Sequence, residues 1–314
     1  MMPFLRRFAR ELTLLGILIL LGGVLATRSP HFLTRDNLLE LTRHLAETGI
    51  VACGMTLIIM TGGIDLSVGS LLGLAGIALG YAWKLWGVEA AVAAVVAVGF
   101  LGGALNGALI TRAGLPPLVV TLATMALFRG GAMIISRAEP VSDFPEAFYW
   151  IGQGDLVGLP VQLVLWLLVV AAAAVVLART PAGRYAAAIG DNERAARFAA
   201  IPVGTVKFWL YVATGLLSTL AAVIYTSRCS TAKADAGEGL ELQVITAVVL
   251  GGTPITGGRG TILGSFLGVL ILGFVRRGLT LARAPMLTQE ILIGVILILT
   301  AILNQIVARR SARA

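Results

Sequence analysis

The chain carries little charge for its length. Asp, Glu, Lys and Arg make up 13 % of its 314 residues, against 58 % hydrophobic residues, and the mean hydropathy is +0.93. A soluble domain carries about 25 % charge, so a soluble fold of this size would lack the polar side chains to cover its surface. An ordinary cytosolic enzyme and a disordered chain are excluded on that ground. Cysteine is scarce. Cys53 and Cys229 form no CxxC pair and no Cys/His cluster, so neither a disulfide scaffold nor a metal site has support. The two histidines, His31 and His44, sit near the start of the chain without ligand spacing and read as interfacial or packed side chains. Lysine occurs only at 84, 207 and 233, never in a G-x-x-x-x-G-K-[ST] context, so no phosphate-binding loop of that kind is present. The two longest loops, 136–159 and 179–207, are too short to be catalytic domains.

Apolar runs are what the chain has in abundance. A membrane-spanning helix needs about 20 mostly apolar residues, fewer where it is broken. Ten runs qualify: 12–27, 38–61, 68–83, 88–110, 117–135, 160–178, 207–226, 240–253, 260–275 and 286–307. The first follows Arg6, Arg7 and Arg10 but precedes no small-residue cleavage site, so it reads as a retained helix. The expected fold is an all-α, polytopic membrane helix bundle of about ten segments, forming one transmembrane domain over 1–314.

Arginine orients this bundle, because cytoplasmic loops collect Lys and Arg. The formal net charge of +8 therefore reads as membrane topology rather than as a nucleic-acid surface. Arg6, Arg7 and Arg10 at one end and Arg309, Arg310 and Arg313 at the other place both termini in the cytoplasm, which needs an even number of crossings. The loop 136–159, with Glu139, Asp143, Glu146 and Asp155 against Arg137, belongs outside. The loop 179–207, with Arg179, Arg184, Arg194, Arg197 and Lys207, belongs inside. Arg276, Arg277 and Arg283 fall outside in this scheme, against the rule.

Three stretches are rich in glycine. Gly99, Gly103 and Gly107, with Asn106 among them, read as a face for close helix packing. Two others, 60–70 and 251–261, interrupt apolar runs with a Gly-Gly pair and polar residues. Non-helical backbone at membrane depth is tolerated only where protein or a watery cavity surrounds it, and broken helices in two halves of a chain point to a transport path. Asp65 and Ser67 stand where the helix restarts, either to cap it or to touch a solute. Arg129 lies inside an apolar run, either paired structurally or used in transport.

The inside loop carries a further element. Asp191 suits an N-cap, Glu193 the first turn, and Pro202 a stop, which predicts a helix of about ten residues and about 15 Å. Ala195, Ala196, Ala199 and Phe198 give it a small apolar side, and Arg194 and Arg197 a charged one. That pattern suits docking in a partner's groove. A helix resting on lipid would carry more large apolar residues.

Four motifs occur in order: Gly62-Gly-Ile-Asp-Leu-Ser-Val-Gly69; Thr121-Leu122 followed by Arg129-Gly130; Gly190-Asp-Asn-x-x-Ala-Ala196; and Ala247-Val-Val-Leu-Gly-Gly252 with Gly257-Gly-Arg-Gly260. Over about 35–305 the chain resembles the permease subunits of bacterial ABC importers of the ribose type, a group that includes xylose, arabinose, galactose, rhamnose and autoinducer-2 permeases. The resemblance implies a bacterial inner-membrane protein in a homodimeric or heterodimeric permease pair. It implies a cytoplasmic ABC ATPase that holds the ATP and Mg, and a periplasmic or lipid-tethered sugar-binding protein. It implies no cofactor on this chain. It also implies that Gly190, Asp191, Asn192, Ala195 and Ala196 form the coupling element against the ATPase. Asp191 itself, and Ala199-Ala-Ile-Pro-Val203, depart from the pattern common in relatives. Candidates for the translocation path are Asp65, Ser67, Asn106, Thr121, Arg129, Thr253 and Thr256. The alternatives are a branched-chain amino-acid or nucleoside permease, an ion channel, or a structural membrane subunit. A channel would show a filter or a ring of charge, and the sequence has neither.

Overall fold

A computed structural model describes residues 2–311. The expectation for Arg313 lies outside the described residues, as do the side chains of Arg6, Arg7, Arg309 and Arg310. Each of the ten apolar runs is a helix. Eight are long and apolar enough to cross a membrane: α1 (Met2–Arg28), α2 (Arg35–Met60), α3 (Val68–Trp86), α4 (Val88–Thr111), α5 (Pro117–Ser136), α7 (Val161–Arg179), α10 (Val203–Cys229) and α12 (Ile262–Leu281). The other two runs are α11 (Leu240–Leu250), whose 11 residues cover about 16 Å, and α13 (Met286–Ser311). A short helix α6 (Glu146–Gln153) and a two-residue hairpin, β1 (Asp155–Leu156) with β2 (Leu159–Pro160), fold over one end.

Helix α2 is the central post, buried almost throughout its second half. Its glycines decide what packs on it: a Cβ at Gly49 would lie 2.1 Å from the Trp166 ring of α7, and one at Gly54 would lie 2.6 Å from Thr214 Oγ1 of α10. The run Gly99, Gly103, Gly107 does the same for α4 on α10, where added Cβ atoms would come within 2.5–3.0 Å of Thr219, Tyr211 and Phe208. Lipid offers no hydrophobic drive for helix association, so close backbone approach supplies dispersion instead. The outer sides of α4, α5 and α7 remain apolar and exposed, including Val92, Val96, Leu118, Leu127, Ile134 and Leu168.

The loop 179–207 folds as two helices, α8 (Pro181–Asp191) and α9 (Glu193–Phe198), which we call the elbow. The predicted ten-residue helix capped at Asp191 is corrected here. Asp191 is the last residue of α8, and Asn192 is the cap, its Oδ1 accepting from Ala195 N at 3.0 Å. Pro202 does not stop α9, which ends at Phe198. It starts α10, where its missing N–H costs nothing.

Candidate functional site

Two helices begin inside the bundle. The first break, 61–67, joins α2 to α3. Asp65 Oδ1 accepts from Ser67 N at 2.9 Å and from Ser67 Oγ at 2.6 Å. Ser67 Oγ accepts from Asn106 Nδ2 at 2.8 Å, and Asn106 Oδ1 accepts from Thr124 Oγ1 at 2.7 Å. Thr121 Oγ1 donates to Ile64 O at 3.3 Å. All five side chains are buried. Ser67 makes no side-chain cap of α3; the turn at its N-terminus is tied by Asp65 instead. Three sequence candidates, Asp65, Ser67 and Asn106, thus share one buried network, and a fourth, Thr121, ties the same break through Ile64 O. Thr124 completes the network and was missed, because a threonine one turn after Thr121 looks like ordinary helix.

The segment 251–261 is an interruption, as the sequence indicates, between α11 and α12, and it meets the first break at Met60 and Gly62, at the elbow end of the bundle. A further break that the sequence did not signal is 230–239, between α10 and α11. It descends beside α3: a Cβ at Gly76 would approach Ala232, one at Gly73 would approach Ala234 O, and one at Gly69 would lie 2.2 Å from Gly237 O. Seven residues of α3 separate Gly76 from Gly69, so the loop drops roughly 10 Å alongside it. Gly237, at φ 73°, faces Gly69 with no room for a Cβ on either side. Helix α11 then runs onward as a half-helix. Arg129 is half-buried rather than enclosed. Its Nη1 donates to the carbonyls of Ala234 and, at 2.9 Å, Ala236. It therefore braces the descending backbone, satisfying carbonyls that no ladder reaches.

A cavity of about 600 Å³ stands over this further break, on the end of the bundle opposite the elbow. Asp235, Gly237 and Glu238 border its floor, the first turns of α2 its side, and Arg276 and Arg277 of α12 the facing wall. Glu47 is paired with Arg228 at 2.9 Å, and Arg228 Nη1 lies 3.1 Å from His44 Nδ1. Among the described residues, none of the seven path candidates lines this cavity. Its residues come from four distant parts of the chain, and the one sequence signal was the exception Arg276 and Arg277 made to the loop-charge rule. They are not loop residues; they border a cavity of mixed lining.

At the other end, three glycine segments meet. Gly258 N donates to Met60 O at 2.9 Å, and a Cβ at Gly190 would lie 1.8 Å from that same carbonyl and 2.3 Å from Gly258 N. The elbow therefore touches the end of α2 and the loop 251–261 through backbone. Thr253 is buried in this loop and Thr256 is exposed on it. Thr261 Oγ1 donates to Glu11 of α1 at 3.0 Å, which brings the start of the chain to the elbow end. Ala195 is exposed on α9, but Ala196 is buried against Ile189 and Val203, so its methyl faces the bundle. Phe198 is 93 % exposed, with Arg194 and Arg197 beside it. Glu193 ties the elbow to α10 through Lys207 at 2.6 Å, and to Arg197 at 2.6 Å. Partial burial pushes its carboxyl up, but the hydrogen bonds from Lys207 and Arg197 outweigh that and hold it below the ordinary value of 4.5.

The family described as "Branched-chain amino acid transport system / permease component" matches residues 37–301. The chain belongs to that permease family. It is similar to the ribose import permease of Escherichia coli (strain K12), 38 % identical over 309 residues that cover 96 % of this chain and 95 % of the relative. It is 40 % identical to the ribose import permease of Bacillus subtilis (strain 168), over 93 % of this chain and 90 % of that one. It is 38 % identical to the autoinducer 2 import system permease of Yersinia enterocolitica serotype O:8, over 96 % and 93 %. No solved structure matches. The permease thus spans nearly the whole length of these relatives, and the motifs quoted above lie within the matched range.

Proposed function

We propose that this permease is the translocation subunit of an ATP-driven importer for a monosaccharide or sugar-like solute. The observation that carries the reading is the pairing of two ends. A cavity with charged groups among its aliphatic lining lies over a broken, braced segment at one end, and an elbow joined by backbone to α2 lies at the other. In this reading the cavity faces outward and receives solute from a binding protein. The elbow, the start of α1 and the end of α13 face the cytoplasm of a bacterial cell, in line with the arginine asymmetry. A cytoplasmic ATPase that holds ATP and Mg²⁺ docks on the elbow, and a second permease, the same or different, completes the path within the lipid. This chain holds no cofactor of its own.

Phe198, with Ala195, Arg194 and Arg197, forms the docking surface, because an exposed aromatic flanked by arginines has the make-up of an interface hot spot. Gly190, Asp191 and Asn192 shape the elbow, and Ala196 fixes it to the bundle. The sugar reading is preferred to the amino-acid one in the family's description because the relatives are ribose and autoinducer 2 import permeases; the cavity is mixed, with Leu41, Leu72, Val269 and Ile293 beside Glu47, Arg228 and Arg276.

The test is co-expression with the ABC ATPase and sugar-binding protein of the same organism's importer, sought first in the gene neighbourhood. The ATPase should co-purify through the elbow, and its turnover should rise when loaded binding protein is added. An ATPase that neither co-purifies nor responds would overturn the reading.

A further inference from the structure

Three guanidiniums border the outer cavity, and their partners differ. Arg228 has a carboxylate, Glu47. Arg276 and Arg277 have neutral amides. Arg276 Nη1 donates to Gln243 Oε1 at 2.9 Å, and Arg277 Nε donates to Asn37 Oδ1 at 2.6 Å. Among the described residues, no carboxylate oxygen lies within 4 Å of either. Glu290 borders a smaller pocket that Arg276 also borders, but forms no ion pair with it. Arg276 Nε is buried and has no acceptor among the described residues. A buried N–H without an acceptor is costly, and two adjacent like charges on one wall raise the cost. Across the cavity, Asp235 and Glu238 are exposed on the floor.

We propose that this cavity takes a polyhydroxylated acid: a solute with an anionic group set against Arg276 and Arg277, and hydroxyls that donate to Asp235 and Glu238. This rests on the importer reading and narrows its solute. A neutral sugar fills the cavity but gives neither guanidinium an anionic acceptor; the charge of Glu290 reaches Arg276 only from beyond ion-pair distance. A carboxylate or phosphate accepts from two planar forks at once, the geometry in which arginine binds anions best. The polarity of the cavity, basic wall and acidic floor, also orients such a solute with its acid end toward α12.

The full-length permease, purified in detergent, is heated with increasing D-ribose, D-gluconate or D-ribose 5-phosphate, with ionic strength matched by NaCl. Binding to the folded state raises the unfolding midpoint with ligand concentration. The expected result is a half-saturating concentration at least about tenfold lower for one or both acids than for ribose. The better of the two acids tells carboxylate from phosphate. The double variant Arg276→Gln, Arg277→Gln should lose the preference, and Arg276→Lys, Arg277→Lys should keep part of it. Should the glutamine variant not fold, the wild-type series decides alone. The proposal is overturned if ribose binds as well as both acids, if the folded glutamine variant keeps the preference, or if no compound shifts the midpoint up to about 50 mM. In each of those cases ATPase co-purification is untouched and the importer reading stands; failure of co-purification would bring down that reading instead.

Discussion

Two breaks in this bundle, 61–67 and 230–239, solve one problem in opposite ways. Both start a helix inside the membrane-spanning layer, and both must satisfy backbone groups there. The break at 61–67 does so with side chains: Asp65, Ser67, Asn106 and Thr124 form a closed chain of hydrogen bonds, all buried. The break at 230–239 does so mainly with backbone: Ala232 exchanges both bonds with Val141, turns close at Ala236 and Glu238, and Arg129 reaches across from α5 to two further carbonyls, while Lys233, Asp235 and Glu238 stay exposed. A sealed network has one arrangement and resists change. Past the bridge at Ala232, residues 233–239 keep only turn bonds and the two bonds from Arg129, beside a cavity. The first break is therefore the fixed joint, and the lower part of the second is the more movable edge.

Breaking the sealed joint should have the largest effect. Asn106→Leu removes two buried hydrogen bonds, while Ser67 keeps Asp65 and Thr124 keeps the Val120 carbonyl as acceptors, at about 1–3 kcal/mol. Its unfolding midpoint in detergent should fall well below wild type. A midpoint within error of wild type would mean that water reaches this network and that the two breaks are alike.

Next comes the movable edge. Arg129→Ala frees the carbonyls of Ala234 and Ala236 without opening the core, so the protein should stay folded while uptake drops about tenfold or more, as the loss of about 1.5 kcal/mol or more in a charge-assisted bond implies. Arg129→Lys should recover only part, since an ammonium lacks the fork that spans two acceptors. Thiol labelling of Asp235→Cys should speed up in the alanine background. Wild-type uptake with unchanged labelling would remove Arg129 from the path.

The comparison sharpens at the elbow, which touches Met60 just before the sealed joint and makes no such contact with 230–239. Phe198→Ala should leave stability unchanged and weaken ATPase association by about 1–2 kcal/mol, read as a five- to thirtyfold loss in a pull-down titration. Ala196→Trp, in contrast, forces an indole between Ile189 and Val203 and should destabilise the elbow itself, by about 1–3 kcal/mol. If the tryptophan is tolerated and the alanine costs no binding, the docking surface lies elsewhere.

The smallest effect is electrostatic. Glu193 titrates below its ordinary value because Lys207 and Arg197 bind its charged form. A depressed carboxylate stabilises the fold above its unfolded pKa and loses that contribution as pH falls through the folded one. Its side chain is 37 % exposed, so screening limits the effect to under about 1 kcal/mol. The elbow's stability should be flat from neutral pH down to about 5 and decline below the ordinary glutamate range, and Glu193→Gln should abolish that decline. An acid transition that persists in the variant would belong to another group.

Much of this was legible along the chain. Each of the ten apolar runs became a helix, because the bilayer imposes a length and leaves backbone no alternative to internal hydrogen bonding. The glycines at 99, 103 and 107 lie against α10, since a missing side chain every fourth residue marks one helix face. The arginine asymmetry placed the start of α1 and the elbow at one end, where Glu11 and Gly258 now lie. Local patterns were read less well where two residues compete for one role. Asp191 and Asn192 are both good caps, and the choice fell to Asn192 because Gly190 must pack on Met60 and Gly258, which holds Asp191 inside α8. The break at 230–239 escaped notice for a similar reason. The segment 251–261 has the stronger glycine signal, and its glycines serve the contact with α2 and the elbow. The weaker pattern at 230–239 depends on partners far off in sequence: Gly69, Gly73 and Gly76 on α3, Val141, and Arg129 on α5. The cavity could not be read from order at all. His44, Arg228, Gln243 and Arg276 are far apart in sequence, and they share a wall only because a half-helix as short as α11 leaves space above it that α2 and α12 enclose. Length and periodicity are properties of a segment and survive in the sequence; a cavity is the space several segments fail to fill, and that is set when they pack.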